Sequence, residues 1–279
     1  MSRRKPSRIL SLSGIYLVLT LFAGVTLYPL YYSIISSLKT VEDYTLNILG
    51  LPGPFTLVNF ARVLLDMKML QFLGNTLLVV GFGLALYLFL CTSAGFAFGK
   101  LQFRGRLAVF SLVLFLQIFP QMVIAGQIYQ LASRIHLLNT YPGIILIWAA
   151  YFAPFGTYIM TTYYAKVPRE LVESARLDGA GVYAQLFHIL MPVAKPMLGT
   201  IGIVGGLAMW NELPFSMLIL QKANMRTLTL GIALMKGEFG LPVPVLCAAV
   251  LVSAGIPLLL YLFFQNFITM GATAGSVKG

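Results

Sequence analysis

The sequence predicts an all-α transmembrane protein, and three observations carry that reading. Apolar residues make up 59% of the chain and charged residues 10%, at a mean hydropathy of +0.88, far from the balance of a soluble domain. Six mostly apolar stretches recur along the chain, each of the roughly 20 residues that a helix needs to cross a bilayer. The Lys and Arg residues gather at the ends of those stretches.

The spans are expected at Ile9 to Ser37, Phe72 to Phe98, Leu107 to Gln130, Gly143 to Tyr164, Met197 to Leu220 and Pro244 to Phe267. The first follows "RRKPSR" in the manner of a secretory signal, but its apolar run is too long for a signal core and lacks a convincing small-residue cleavage site, so it reads as a retained helix. With the N-terminus inside, the cytoplasmic pieces hold Arg3, Arg4, Lys5, Arg8, Lys100, Arg104, Arg106, Lys166, Arg169, Arg176, Lys195 and Lys278. The outer loops keep Lys39, Arg62, Lys68, Arg134, Lys222, Arg226 and Lys236. That bias puts both termini in the cytoplasm. The longest outer loop, Leu38 to Gln71, has little room for a core of its own, so residues 1–279 read as one membrane domain. Pro29, Pro120, Pro154 and Pro214 fall inside the spans, with Gly95/Gly99 and Gly202/Gly206 at four-residue spacing. Such residues kink membrane helices or let them approach closely.

Several function classes are disfavoured. Cys91 and Cys247 lie in apolar runs, without disulfide or metal-ligand spacing, and His136 and His188 have no neighbouring ligand pattern. The formal charge of +11 is explained by orientation signals and calls for no nucleic-acid partner. "GFAFGKL" at Gly95 to Leu101 has three residues between its glycines and Leu101 where a phosphate loop needs Ser or Thr, so it reads as packing followed by a snorkelling Lys100. Paired carboxylates, HExxH and a nucleophile elbow are absent from the sequence. Glu212 is the one ionisable residue clearly within an expected span, thin material for a proton relay or an ion-driven carrier.

"ELVESARLDGAGVYAQLFHILMP", Glu170 to Pro192, stands apart as a polar segment between two apolar stretches. Pro168 suits a first helical turn, and Glu170 and Glu173 suit the positive end of the helix dipole. Leu171 and Ala175 share a face, while Arg169, Glu173 and Arg176 can pair on another. Asp178-Gly179-Ala180-Gly181 then breaks the helix, and a second helix, Val182 to Met191, leads through Pro192 into the fifth span. Two readings fit these residues: an amphipathic helix resting on lipid headgroups, or a short helix inserted into another protein's groove. The acids and the sharp corner favour the second.

Glu173-Ser174-Ala175, three residues, Gly179, nine residues, Ile189, one residue, Met191-Pro192 resembles the EAA motif of ABC importer permeases, E-A-A-x3-G-x9-I-x-L-P, departing at Ser174 and Met191. "LDGAGVYAQLFHILMP", "LQIFPQMV" (Leu116 to Val123), "HLLNTYPGIIL" (His136 to Leu146), "WNELPF" (Trp210 to Phe215) and the ending "GATAGSVKG" (Gly271 to Gly279) resemble the carbohydrate-importer permeases of the maltose type, so the likeness covers nearly the whole chain. It implies the six-helix type I importer fold of the smaller permease subunit, a second related permease, two cytoplasmic ATPases and an extracytoplasmic solute-binding protein, in a bacterial or archaeal cytoplasmic membrane. No cofactor is expected in this chain; ATP and Mg would be bound by the partner ATPase. Glu173, Ser174, Ala175, Asp178 and Gly179 then map onto the docking part of a coupling segment, 168–192. The resemblance also implies a second ATPase contact in the tail, 268–279, through Ser276, Lys278 and Gly279, with an unattached end as the alternative.

For the solute pathway, Trp210, Asn211 and Glu212 combine an aromatic face with hydrogen-bonding groups, and Asn75 and Gln121 are further polar positions inside spans. Helix packing is the alternative for each. The expected solute is an oligosaccharide or related carbohydrate. The alternatives are another solute such as glycerol phosphate, or a stand-alone secondary carrier.

Overall fold

The computed structural model describes residues 6–274, with side chains described for 14–235, 237 and 240–263. No strand occurs among the described residues. In chain order the helices are α1 (Pro6–Ser37), α2 (Val41–Leu46), α3 (Val58–Ala61) with a π-helical turn (Arg62–Asp66), α4 (Met69–Lys100), α5 (Arg106–Phe115), α6 (Gln121–Arg134) and α7 (Tyr141–Lys166). There follow α8 (Arg169–Leu177), α9 (Val182–Ala184), a π-helical turn (Gln185–Leu190), α10 (Met191–Val193), α11 (Lys195–Trp210), α12 (Pro214–Ile219), α13 (Leu228–Phe239) and α14 (Val243–Ala274).

Among the described residues, Gly14–Ser37, α4, α7 and Val243–Phe263 are each long and apolar enough to cross a membrane alone, and two bent helix pairs raise the number to six if each pair is one span. The expected third span is one of these pairs: Arg106–Ile118 and Gln121–Arg134 meet at 104°. Pro120 causes the break, since it has no N–H to donate and holds Phe119 in extended geometry (φ −79°, ψ 116°). The expected fifth span, Met197 to Leu220, is also corrected. Helix α11 stops at Trp210, Asn211 leaves helical geometry (φ −90°, ψ 0°), and Pro214 opens the separate α12. Glu212 therefore lies at a helix break and not inside a span. The helix after the Asp-Gly corner runs through Pro192 and turns instead at Ala194, where Val182–Val193 and Lys195–Trp210 meet at 81°.

Contacts divide the chain into two compact units. One joins Met1–Lys68 with Leu234–Ala254. Its loop after α1 is organised by the fully buried Lys39, whose ammonium donates to the carbonyls of Asn47 and Ile48. The Asn59 amide donates to the carbonyls of Ser37 (2.8 Å) and Lys39 (2.7 Å), so this stretch satisfies its turns from within.

The other unit, Met69–Ala233 with Gly255–Gly279, is built on α4 and α7, which run parallel. Asn75 meets Tyr141, Gly83 lies beside Trp148, Gly95 beside Met160, and Lys100 beside Val167. Small residues set this approach: a Cβ on Gly95 would stand 3.0 Å from the Met160 carbonyl carbon, and one on Gly99 3.0 Å from the Thr161 oxygen. Helix α11 packs antiparallel on α4, with the Tyr87 ring in space that Gly156 and Gly205 leave open. Gly202 and Gly206 behave differently from the other pair. They face Leu88 and Leu84 at ordinary contact distances and line an apolar cavity of about 490 Å³ between α4, α11 and α14. Cys91 and Cys247 are free, buried thiols.

Candidate functional site

The polar segment folds as a helix, a corner and a second helix. Pro168 takes the N-cap position, one residue earlier than expected, and α8 follows with Glu170 in its first turn and Arg176 in its last, both suited to the helix dipole. Helix α8 ends in a Schellman motif: Gly179 N–H donates to the Arg176 carbonyl (3.1 Å), Ala180 N–H donates to the Ala175 carbonyl (2.9 Å), and Gly179 holds φ +84°. The Gln185 side chain, buried in the π-helical turn, braces the corner by donating to the Ala180 carbonyl at 2.8 Å. Ala175 is 6% exposed and faces inward, while Glu173, Ser174, Asp178 and Gly179 are exposed. Among the described residues Arg169, Glu173 and Arg176 are exposed and make no ion pair with one another. Leu177 is 89% exposed and Tyr183 80%, so apolar groups flank the acids on the outside of the corner.

The corner is tied to the long helices at two points. The Lys100 ammonium, at the end of α4, donates to the Val167 carbonyl, and the Tyr163 hydroxyl of α7 donates to the Val193 carbonyl at 3.0 Å. Ser276, Lys278 and Gly279 lie outside the described residues.

The candidate pathway residues fall into two groups. Gln121 and Glu212 are brought together, the Gln121 amide donating to Glu212 Oε1 at 2.5 Å. Trp210 is buried and its carbonyl accepts from the Thr229 hydroxyl (2.7 Å), while the adjacent Asn211 is exposed and its amide caps the Leu207 carbonyl (2.8 Å). Asn75 lies in a separate cluster. Its amide donates to the carbonyls of Asn224 and Arg226, both at 2.9 Å, and its oxygen accepts from the Tyr141 hydroxyl at 2.8 Å. These bonds fix the segment after α12 to the first turns of α4 and α7. Sequence reasoning missed Trp148, Ser216, Tyr141 and Gln185. Trp148 had a readable signal: an indole N–H in the middle of an apolar span needs an acceptor, and Glu212 is the acid at hand. Among the described residues no cluster of His, Cys, Asp and Glu gathers as a metal site would require.

Fold and site together define a multi-pass helical membrane protein that carries an exposed, acid-bearing helix and corner at α8, outside its spans. The chain belongs to the family of binding-protein-dependent transport system inner membrane components, the permeases of ABC importers, whose profile matches residues 91–270. The trehalose/maltose transport system permease protein MalG of Thermococcus litoralis is 31% identical over 266 residues, 93% of this chain and 94% of its own length. The arabinooligosaccharides transport system permease protein AraQ of Halalkalibacterium halodurans is 29% identical over 281 residues, 99% and 100% of the two chains. The sulfoquinovosyl glycerol transport system permease protein SmoH of Agrobacterium fabrum is 29% identical over 254 residues, 91% and 89% of the two chains. Among solved structures, a chain of a bacterial ABC transporter involved in the import of the acidic polysaccharide alginate superposes with a TM-score of 0.81 at 24% identity, over 95% of this chain and 99% of that one. That likeness is one of fold.

Proposed function

We propose that this chain is the smaller permease subunit of an ATP-driven importer for an oligosaccharide or related carbohydrate. The observation that carries the reading is the α8 corner: a helix ended by Gly179 in left-handed geometry, exposing Glu173, Ser174 and Asp178 beside Leu177 and Tyr183. Exposed apolar groups next to charges suit insertion into a protein groove. In this reading α8 docks in a cytoplasmic ATPase, which binds ATP and Mg, and the bonds from Lys100 and Tyr163 pass its movement to α4 and α7. The spans then rock between outward and inward access, with no covalent chemistry in this subunit. The excess of Lys and Arg that the sequence assigns to the side of α8 supports a cytoplasmic location for that side and for both termini, within a bacterial or archaeal inner membrane.

The partners are a second related permease, two ATPase copies, and an extracytoplasmic solute-binding protein. The carbohydrate class rests on relatives whose names describe transport of trehalose and maltose, arabinooligosaccharides and sulfoquinovosyl glycerol. In the same reading Asn211, exposed beside the buried Trp210, meets the solute, and Ser276, Lys278 and Gly279 of the tail make a second ATPase contact. The test is purification of this chain from its native membrane in mild detergent, with partners and stoichiometry read by mass spectrometry. One related permease and two ATPase copies are expected. Recovery of this chain alone, under conditions that preserve a known importer, overturns the reading.

A further inference from the structure

The Glu212 carboxylate, in a residue 5% exposed, is surrounded by donors from three parts of the fold. Oε1 accepts from Gln121 Nε2 (2.5 Å) and the Phe215 N–H (2.6 Å). Oε2 accepts from Trp148 Nε1 (2.9 Å), the Ser216 N–H (3.0 Å) and the Ser216 hydroxyl (2.8 Å). Gln121 is the first residue after the Pro120 break, Phe215 and Ser216 lie in the first turn of α12, and Trp148 stands about two turns into α7. The break in the third span and the break that ends α11 thus meet at one carboxylate, and α7 holds that carboxylate from behind.

From this geometry we propose that Glu212 is a positioning residue, not a solute ligand: it staples α6 and α12 to α7, and so fixes the direction in which Asn211 faces. The proposal rests on the permease reading for its functional consequence only. A carboxylate offers about four acceptor sites, and five donors already occupy this one. A sugar hydroxyl could bond there only by displacing one of these donors, four of them buried and the fifth, Gln121, half-buried, and a buried donor without a partner is costly. Trp148, Phe215 and Ser216 are each 0% exposed, so the donor shell is closed on three sides. The staple also answers a local need, because the first N–H groups of α12 have no partner within that helix. An amide of the same shape fails here: it keeps one acceptor oxygen and turns an NH₂ toward donors.

The test uses the intact transporter purified with its partners, comparing wild type with E212Q by amide hydrogen exchange. Exchange at 214–219 and in the first turn of α6 is expected to quicken by about tenfold or more, the loss of one or two buried bonds, while 141–166 and complex stoichiometry stay unchanged. In an N211C background, E212Q is also expected to change the rate of labelling by a methanethiosulfonate ethyltrimethylammonium probe at least about twofold, with no solute present. Unchanged exchange and labelling overturn the staple and return Glu212 to the pathway. If E212Q does not assemble, W148F carries the test, since it removes one donor to Glu212; exchange at 214–219 and labelling at N211C are then the readouts, and 141–166 no longer serves as the reference. Neither readout depends on ATP or solute, so a chain that purifies without ATPase partners sinks the importer reading and leaves the staple to be judged on exchange and labelling.

Discussion

Lys100, the last residue of α4, donates its side-chain ammonium to the carbonyl of Val167, two residues ahead of α8. Helix α4 packs along α7 throughout, so this bond joins the end of the central helix pair to the start of the exposed corner. A charge-assisted hydrogen bond of this kind contributes about 1.5–3 kcal/mol, toward the lower end for a half-buried Lys. Lys100→Met keeps the apolar stem and removes the donor. It is expected to lower solute-stimulated ATP hydrolysis several-fold while leaving complex assembly intact, as measured on purified transporter; equal stimulation would remove Lys100 from the coupling route.

Gly179 holds φ +84° with no atom within 4 Å of the place a Cβ would occupy. A substitution there is resisted by backbone geometry and not by crowding, at roughly 1–2 kcal/mol for left-handed backbone. Gly179→Val is expected to abolish coupled hydrolysis while the complex still reaches the membrane. Gly179→Asn, which tolerates this conformation better, is expected to retain most of it. Equal loss in both would point to the side-chain volume at the interface.

Gly95 sits at a close contact between α4 and α7. A side chain there meets Met160 backbone at 3.0 Å and Thr161 N at 3.1 Å, and rigid backbone cannot give way as a flexible side chain would. Overpacking of this kind costs about 1–3 kcal/mol, so Gly95→Leu is expected to lower the detergent thermal midpoint and the yield of complex. Gly81→Ala, with open space around its Cβ position, is the matched control and should change neither.

Asn211→Ala removes an exposed amide that caps the Leu207 carbonyl. Uptake of the cognate solute is expected to fall, with ATPase assembly and thermal stability within error of wild type. A parallel loss of stability would reassign Asn211 to helix capping.

Much of this was legible in the sequence. Helices α4 and α7 are long and uniformly apolar, and the Gly95/Gly99 spacing announced their close approach. The Asp178-Gly179 corner was readable because only a few residues accept left-handed backbone, and the structure gives that corner the expected break. What the sequence hid was continuity. Leu107 to Gln130 and Met197 to Leu220 have the hydropathy of unbroken spans, and hydropathy does not register the backbone break that Pro120 and Pro214 impose. Once those breaks are known, Glu212 changes meaning: a lone acid inside a span becomes the acceptor for two broken helix ends and the Trp148 indole. That pairing spans 64 residues of sequence, and no local pattern reports it. Gly202/Gly206 carry the same spacing as Gly95/Gly99 yet line a cavity, because what faces a small residue is decided by tertiary packing.

Docking of α8 and its corner into an ATPase is the step on which the proposed import cycle turns. Leu177, 89% exposed at the end of α8, is the position from which to test it, by replacing it with a photo-reactive benzophenone amino acid in the full chain and irradiating native membranes. A cross-link to an ATPase subunit is expected, lost when Gly179→Val is introduced. Cross-links to lipid alone, with the complex otherwise intact, would contradict it and place α8 on the membrane surface.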